Sequence, residues 1–239
     1  MKYPVNIFSL GTEIVEIHWP EIITEDILLE VIALKEIIES RWGGEIFRVF
    51  HTYQILSIQF KNPAKVGSFI ASLNELINQP IQKENNNPKW TWTIPVCYDP
   101  MMVPSQSQYL QKKQMDVKTL VEYHTSISFL LYFYGFLPGF MYLGGLPKPL
   151  HISRKEIPDQ KINRGSVAIG GSQTGIYPID SPGGWYVIGK TPVQIFEKGK
   201  LNLPFNPGDH IRFSAISAQD YSEILESGTH RWEKIPNHG

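Results

Sequence analysis

The chain has 239 residues, of which 42% are hydrophobic and 19% charged, enough for one large domain or two small ones with a substantial core. Its net charge of -1 gives no electrostatic footprint for nucleic acid or an anionic membrane, which leaves small molecules and proteins as partners. Its single cysteine, Cys97, cannot close an internal disulfide, and MKYPVNIFSL breaks its apolar run at Pro4 and Asn6 before a signal-peptide core forms, so a cytoplasmic protein is expected.

Tyr3 to Leu10 and Glu13 to Trp19 read as two short strands joined at Gly11-Thr12. Thr24 suits an N-cap, and Ile27, Val31, Leu34 and Ile38 form a helical stripe that Gly43-Gly44 ends. Ile46 to Phe50 and Gln54 to Phe60 follow as strands. Pro63 then opens a helix with Val66, Phe69, Ile70, Leu73 and Leu76 on one face. The order ββαββα predicts an α+β layer with both helices on one face of an antiparallel sheet. His18 and His51 fall within it as strand histidines without a partner motif, a structural pattern. The polar run Gln82 to Lys89 has too little apolar content to pack, which sets the expected domains at 1–84 and 85–239.

Trp90, Trp92, Ile94, Val96 and Tyr98 alternate with polar or small residues, predicting a strand with one heavily buried face. Pro95 lacks a ladder donor, which predicts an edge or a bulge there. Cys97 has neither a basic neighbour nor a metal-spaced partner and reads as packing. Pro100 to Gln114 reads as a loop. Asp116 suits the cap of a short helix through His124, followed by a buried strand from Ser128 to Phe136. The longest apolar run, Ile127 to Pro138, falls short of the roughly 20 residues of a membrane helix. Leu201 to Phe213 reads as a turn and a strand, Ala218 to Ser227 as a closing helix, and Glu233 to Gly239 as a frayed tail.

Between Gly135 and Pro192, turns dominate. Glycine pairs at 144–145, 170–171 and 183–184 alternate with Pro-centred turns, and short apolar pieces between them suit strands of a compact barrel or sandwich. Gly170 to Gly175 gives G-x-x-x-x-G, but Ile176-Tyr177 stand where a phosphate loop needs Lys and Ser/Thr. No G-x-G-x-x-G follows a strand, and no C-x-x-C, H-E-x-x-H or carboxylate cluster offers metal-ligand spacing, so no metal ligands are expected.

Polar side chains remain among the turns: Arg164, Gln173, Thr174, Tyr177, Asp180, Ser181 and Lys190. Asp180-Ser181-Pro182 is the kind of sequence whose side chains bond their own backbone. Gln173 and Tyr177 each offer donor and acceptor together, suited to an amide or carboxylate ligand or to structure. Arg164 and Lys190 are cations able to hold a carboxylate or phosphate oxygen, or to form surface ion pairs. His124 stands at an element junction, where proton transfer and buried scaffolding are both open. His151, beside a Pro-rich turn, reads as a solvated loop residue.

GFLPGFMYLGGL followed by GSVAIGGSQTGIYPIDSPGGWYVIGKTP resembles the family containing the B-type subunit of the bacterial ATP-dependent 5-oxoprolinase, the sporulation-kinase inhibitor KipI and the first allophanate-hydrolase-type segment of urea carboxylase. The resemblance runs from Thr93 to Phe213 and is most specific over Gly165 to Pro192. It implies a small N-terminal α+β domain followed by a cyclophilin-like β-barrel, and a component of an enzyme that opens 5-oxoproline to L-glutamate with ATP hydrolysis. It implies a homologous C-type subunit and an A-type subunit as partners, ATP with magnesium in the complex, and no biotin on this chain. On this reading His124 and Lys190 are the catalytic candidates, and Arg164, Gln173, Tyr177 and Ser181 the substrate-binding ones. The alternative it carries is a KipI-like inhibitor that binds a sensor histidine kinase without chemistry. A Pro-Arg-Arg run and a Pro-Arg pair in the family are replaced here by Ser153-Arg154-Lys155 and Pro158-Asp159, an acidic residue at a basic position.

Overall fold

Period-two alternation in the N-terminal third gives β1 (Asn6–Leu10), β2 (Ile14–His18), β3 (Ile46–His51) and β4 (Ile55–Phe60), paired antiparallel in the order β1-β2-β4-β3. Val15, Ile17, Leu56 and Ile58 share one face by register and are fully buried. Helices α1 (Glu25–Trp42) and α2 (Val66–Ile77) bury Ile27, Val31, Leu34 and Ile38, and Phe69 and Leu73, in that same core. The Thr24 hydroxyl accepts the Ile27 N–H (3.3 Å), capping α1 as its sequence predicts. His51 lies on the core side of the sheet. His18 lies on the opposite side, its ring nitrogen 2.7 Å from Glu16 Oε2.

This computed structural model describes residues 1–79, 89–197, 199–228 and 232–236, and the chain divides into units 1–88 and 89–239. The boundary expected after residue 84 lies outside the described residues.

The second unit is a closed barrel. Its strands are β5 (Trp90–Cys97), β6 (Ser128–Tyr134), β7 (Met141–Gly144), β9 (Ser166–Gly170), β10 (Gln173–Ile176), β12 (Tyr186–Lys190) and β15 (His210–Ile216). The ring runs β12-β9-β10-β7-β6-β15-β5 and returns to β12 through Cys97 and Lys190. Among these strands only β5 and β15 pair parallel. Phe129, Leu131, Leu143, Val167, Ile169, Ile188, Ile211 and Phe213 fill the interior. Helices α3 (Gln106–Lys113) and α4 (Val117–Thr125) lie against β12 and β15. Outside the ring stand a ribbon of β8 (Asp159–Ile162) with β11 (Ser181–Gly183) and a small hairpin of β13 (Phe196–Glu197) with β14 (Lys200–Leu201). Helix α5 (Ala218–Ser227) contacts β5, and β16 (Glu233–Pro236) pairs with β5. Among the described residues no helix is long and apolar enough to cross a membrane.

The break expected at Pro95 holds locally, and two expectations need correction. β5 is a barrel strand, with β15 on one side. On its other side β16 pairs with Trp90 to Thr93 and β12 only at Cys97, so the proline falls in the gap between two partners, where no donor is required. The loop at 100–114 contains α3, whose polar sequence gives no stripe. It is pinned instead by buried Tyr109, whose hydroxyl donates to Leu150 O (2.8 Å), and by Gln106, whose Nε2 donates to Ile188 O (2.5 Å). The supposed tail supplies β16, held by main-chain pairing and by the Lys234 ammonium 3.8 Å from the Trp90 ring centroid.

Candidate functional site

A satellite core covers the outer face of the β9-β10-β12 wall: Phe140, Ile162, Ala168, Tyr177, Trp185 and Val187. These positions alternate in sequence with interior ones, so one strand supplies both cores. The turn from Tyr177 to Gly184 crosses this face, and a cleft opens on each side of it.

The larger cleft, about 580 Å³, is lined by Arg164, Gly165, Asp180, Lys190, Thr191 and Tyr221 among others. Gly165 holds it together. Its N–H donates to Tyr177 O (2.8 Å) and its carbonyl accepts the Thr191 N–H (2.8 Å), which sets Arg164 and Lys190 side by side. Only glycine fits here: φ is +78° and a Cβ would stand 2.7 Å from Thr191 O. Among the described residues the one carboxylate lining the cleft, Asp180, accepts the Arg164 N–H (2.8 Å) and pairs with Lys161 (3.1 Å). These contacts, the Arg164 N–H first, hold the Asp180 carboxyl below its ordinary pKa. The Lys190 ammonium sits 5.7 Å from the Tyr221 ring, and exposed Arg164 lines the cleft with it.

The smaller cleft, about 320 Å³, is walled by Phe136, Phe140, Tyr142, Tyr177 and Trp185, with Arg154 at its rim. Phe140 is the hub, its ring edge-to-face with Tyr142 (5.1 Å), Tyr177 (5.2 Å) and Trp185 (5.3 Å). Gly183 lies over the Tyr177 phenol, and a Cβ there would come within 2.2 Å of the phenol oxygen. Burial pushes the Tyr177 phenol up to about 12, against a smaller opposing effect of the Trp185 N–H, so it is a neutral hydroxyl near pH 7. The Arg154 guanidinium lies 5.7 Å from the Trp185 ring.

The expected site residues are therefore divided. Arg164 and Lys190 share the cationic cleft, and Tyr177 belongs to the aromatic one. Ser181 opens β11 in the shared wall, its hydroxyl buried without a hydrogen-bonding partner among the described residues. Gln173, half-buried, starts β10 opposite Gly170 and lines neither cleft. The glycines at 170–171 join β9 to β10 as a hairpin, with no helix following, so the phosphate-loop geometry is absent at this point.

His124 is enclosed in the barrel. Its Nδ1 lies 2.7 Å from the Tyr98 hydroxyl and its Nε2 2.9 Å from Thr174 Oγ1, while the Thr174 hydroxyl donates to Ala168 O (3.1 Å). That chain assigns the proton to Nε2: Tyr98 donates to Nδ1, and Nε2–H donates to Thr174. The ring stacks on Phe213 at 4.6 Å and is fully buried, and burial lowers its pKa to about 3. A proton carrier needs a route to substrate or solvent and a pKa near the working pH. His124 is fully buried with its pKa lowered, and its contacts are those of a barrel support.

Polar-residue reasoning missed Arg154, Phe140, Tyr142 and Trp185. The available signal was three rings within the seven residues Phe136–Tyr142, and Trp185 directly after the Gly183-Gly184 pair. The Ser153–Asp159 departures also take a definite form. The Lys155 ammonium bonds Asp159 Oδ2 (2.6 Å) and Gln108 Oε1 (2.8 Å), so the acidic residue neutralises Lys155 and leaves Arg154 as the cation at the rim. Among the described residues no three His, Cys, Asp or Glu side chains form a group able to hold a metal ion.

The model of the carboxyltransferase domain, subdomain C and D, matches residues 5–205. The chain is 41% identical over 135 residues to the protein of Bacillus subtilis named as the B-type subunit of 5-oxoprolinase, covering 56% of each. It is 40% identical over 121 residues to the protein of that name from Escherichia coli O157:H7, covering 50% of this chain and 56% of the relative. The chain thus spans about half the length of the curated relatives it matches. In fold it is similar to the urea carboxylase of Kluyveromyces lactis, with a TM-score of 0.77 at 16% identity, over 98% of this chain and 24% of the other.

Proposed function

This chain belongs to the family of carboxyltransferase domains, subdomains C and D, and from that membership we propose that it serves as one subunit of a 5-oxoprolinase. The relatives at about 40% identity that carry the name of the 5-oxoprolinase B-type subunit support this reading. The observation that carries it is the pair of clefts on one wall, one cationic and roomy, the other aromatic and small. A reaction joining a polyphosphate to a small amide requires both chemistries close together.

The lactam of 5-oxoproline resists water because its amide is resonance-stabilised. Transfer of the ATP γ-phosphoryl group to the lactam oxygen, with ADP leaving, turns that oxygen into a leaving group. Water then adds to that carbon, the ring C–N bond breaks with a proton passing to the nitrogen to leave an acyl phosphate, and a second water cleaves the acyl phosphate to L-glutamate and phosphate. Arg164 and Lys190 are the groups of this chain suited to phosphate oxygens, as charge-assisted donors without a competing free carboxylate. Magnesium, if bound, belongs to the assembled complex with ATP. Tyr177 offers a neutral hydroxyl to the lactam, and Ser181 and Gln173 complete the polar groups of the wall and the neighbouring hairpin. His124 supports the strand that carries Thr174, and the proton carrier is a group outside the barrel interior, on this surface or on a partner. The partners proposed are the homologous C-type subunit and the A-type subunit of such an enzyme.

Co-expression with candidate partner subunits, followed by measurement of ADP release with and without 5-oxoproline, tests the reading. The expected result is lactam-dependent ADP release from the assembled complex, with Lys190→Gln raising the KM for ATP by about tenfold. An intact complex that releases no ADP with 5-oxoproline refutes the enzymatic role and turns attention to a binding function such as kinase inhibition.

A further inference from the structure

We propose that the aromatic cleft is the seat of a small flat carboxylic acid, with Arg154 anchoring its carboxylate; the identification of that acid as the lactam rests on the 5-oxoprolinase reading. At about 320 Å³ the cleft lies at the small end of ligand pockets, suited to a single ring and too small for a nucleotide. Its walls are aromatic faces and edges, which favour a planar ring over a branched chain. Among the described residues no carboxylate lines it, so the Arg154 charge is uncompensated there.

Arg154 is held in place by its neighbour. The Lys155 N–H donates to Gly184 O (2.7 Å), and the Lys155 ammonium is tied to Asp159 and Gln108. The backbone that carries the guanidinium is thus fixed against the cleft wall before any ligand arrives, which limits the ordering cost of binding. A guanidinium holds a carboxylate through two parallel N–H donors. Arg154 beside an aromatic wall therefore matches a planar ring bearing one carboxylate. At the mouth, Phe136 is 62% exposed and its backbone sits at φ +63°, in the left-handed region that a phenylalanine adopts only under constraint. Strain of this kind collects at ligand sites, and here it places an aromatic ring at the entrance.

The test measures binding of 5-oxoproline, and of 2-pyrrolidinone, which lacks the carboxylate, to the full chain by calorimetry, using wild type, Arg154→Gln and Arg154→Lys. Expected is a loss of about tenfold or more in 5-oxoproline affinity for Arg154→Gln, a smaller loss for Arg154→Lys, and unchanged pyrrolidinone affinity. Equal 5-oxoproline affinity in wild type and Arg154→Gln overturns the proposal. If the lone chain binds neither lactam, the assembled complex decides: a tenfold rise in the KM for 5-oxoproline in Arg154→Gln supports the site, and an unchanged KM overturns it. Arg154-dependent binding of 5-oxoproline beside a complex without lactam-dependent ADP release sinks the enzymatic reading and leaves the site standing. No binding and no turnover overturns both.

Discussion

His124→Gln isolates the energetic role of the buried histidine. Folded, His124 is neutral and fully buried with its pKa lowered to about 3, against an ordinary value of 6.5. Above pH 6.5 it is neutral in both folded and unfolded chains. As pH falls below 6.5 the unfolded chain takes up a proton that the folded one refuses, so stability declines until the pH approaches 3. The slope is about 1.4 kcal/mol per pH unit at most, which gives a loss of about 2 kcal/mol between pH 7 and 5 and about 3 kcal/mol by pH 4. Glutamine can accept from Tyr98 and donate to Thr174 without titrating, although it forfeits the stacking on Phe213. Urea unfolding of wild type and variant at a series of pH values should show the variant less stable at pH 7 and the gap closing by about 2 kcal/mol at pH 5. A gap constant to within about 0.5 kcal/mol refutes the reasoning. Should the variant not fold, the ring nitrogen resonances of wild-type His124 give the same answer, expected to remain those of the neutral Nε2–H tautomer down to pH 4.

Gly165→Ala should lower stability by about 2 kcal/mol, from positive φ and the close approach of Thr191 O, read as a fall of about 5 °C in Tm; an unchanged Tm would mean that this crossing does not hold the two cations together. Removal of residues 232–239 takes away β16 and the Trp232 ring packed on Phe205 at 5.1 Å. The barrel closes through β12 and β5, and Asp209 independently holds Trp90 N (3.0 Å) and Trp92 Nε1 (3.1 Å), so cooperative unfolding should persist with a red-shifted tryptophan emission. Loss of cooperative unfolding would show that β16 is part of the closure.

Much of the fold is written in short-range pattern. The ββαββα order, the Thr24 and Asp116 caps and the Trp90–Cys97 strand follow from periodicity and capping chemistry, which act within a few residues. Helix α3 and strand β16 were not legible, because neither has a stripe of its own. Gln106 and Tyr109 are helical because Ile188 and Leu150 offer them carbonyls, and residues 233–236 are extended because β5 has donors and acceptors to share.

The candidate site divides the same way. The sequence determined the residue types: cations, phenols and rings set among glycines that specify backbone shape. Only the tertiary structure decided which of them meet. Gly165 crosses between Tyr177 and Thr191 and brings Arg164 beside Lys190, the Lys155–Gly184 bond sets Arg154 against Trp185, and α4 turns His124 into the barrel. The reason is physical: a residue's chemistry is local, but its burial and its partners depend on contacts between segments far apart in the chain. His124 shows this most clearly, since titration near neutral pH follows from the imidazole alone, and its loss follows from the walls that Tyr98, Thr174 and Phe213 build around it.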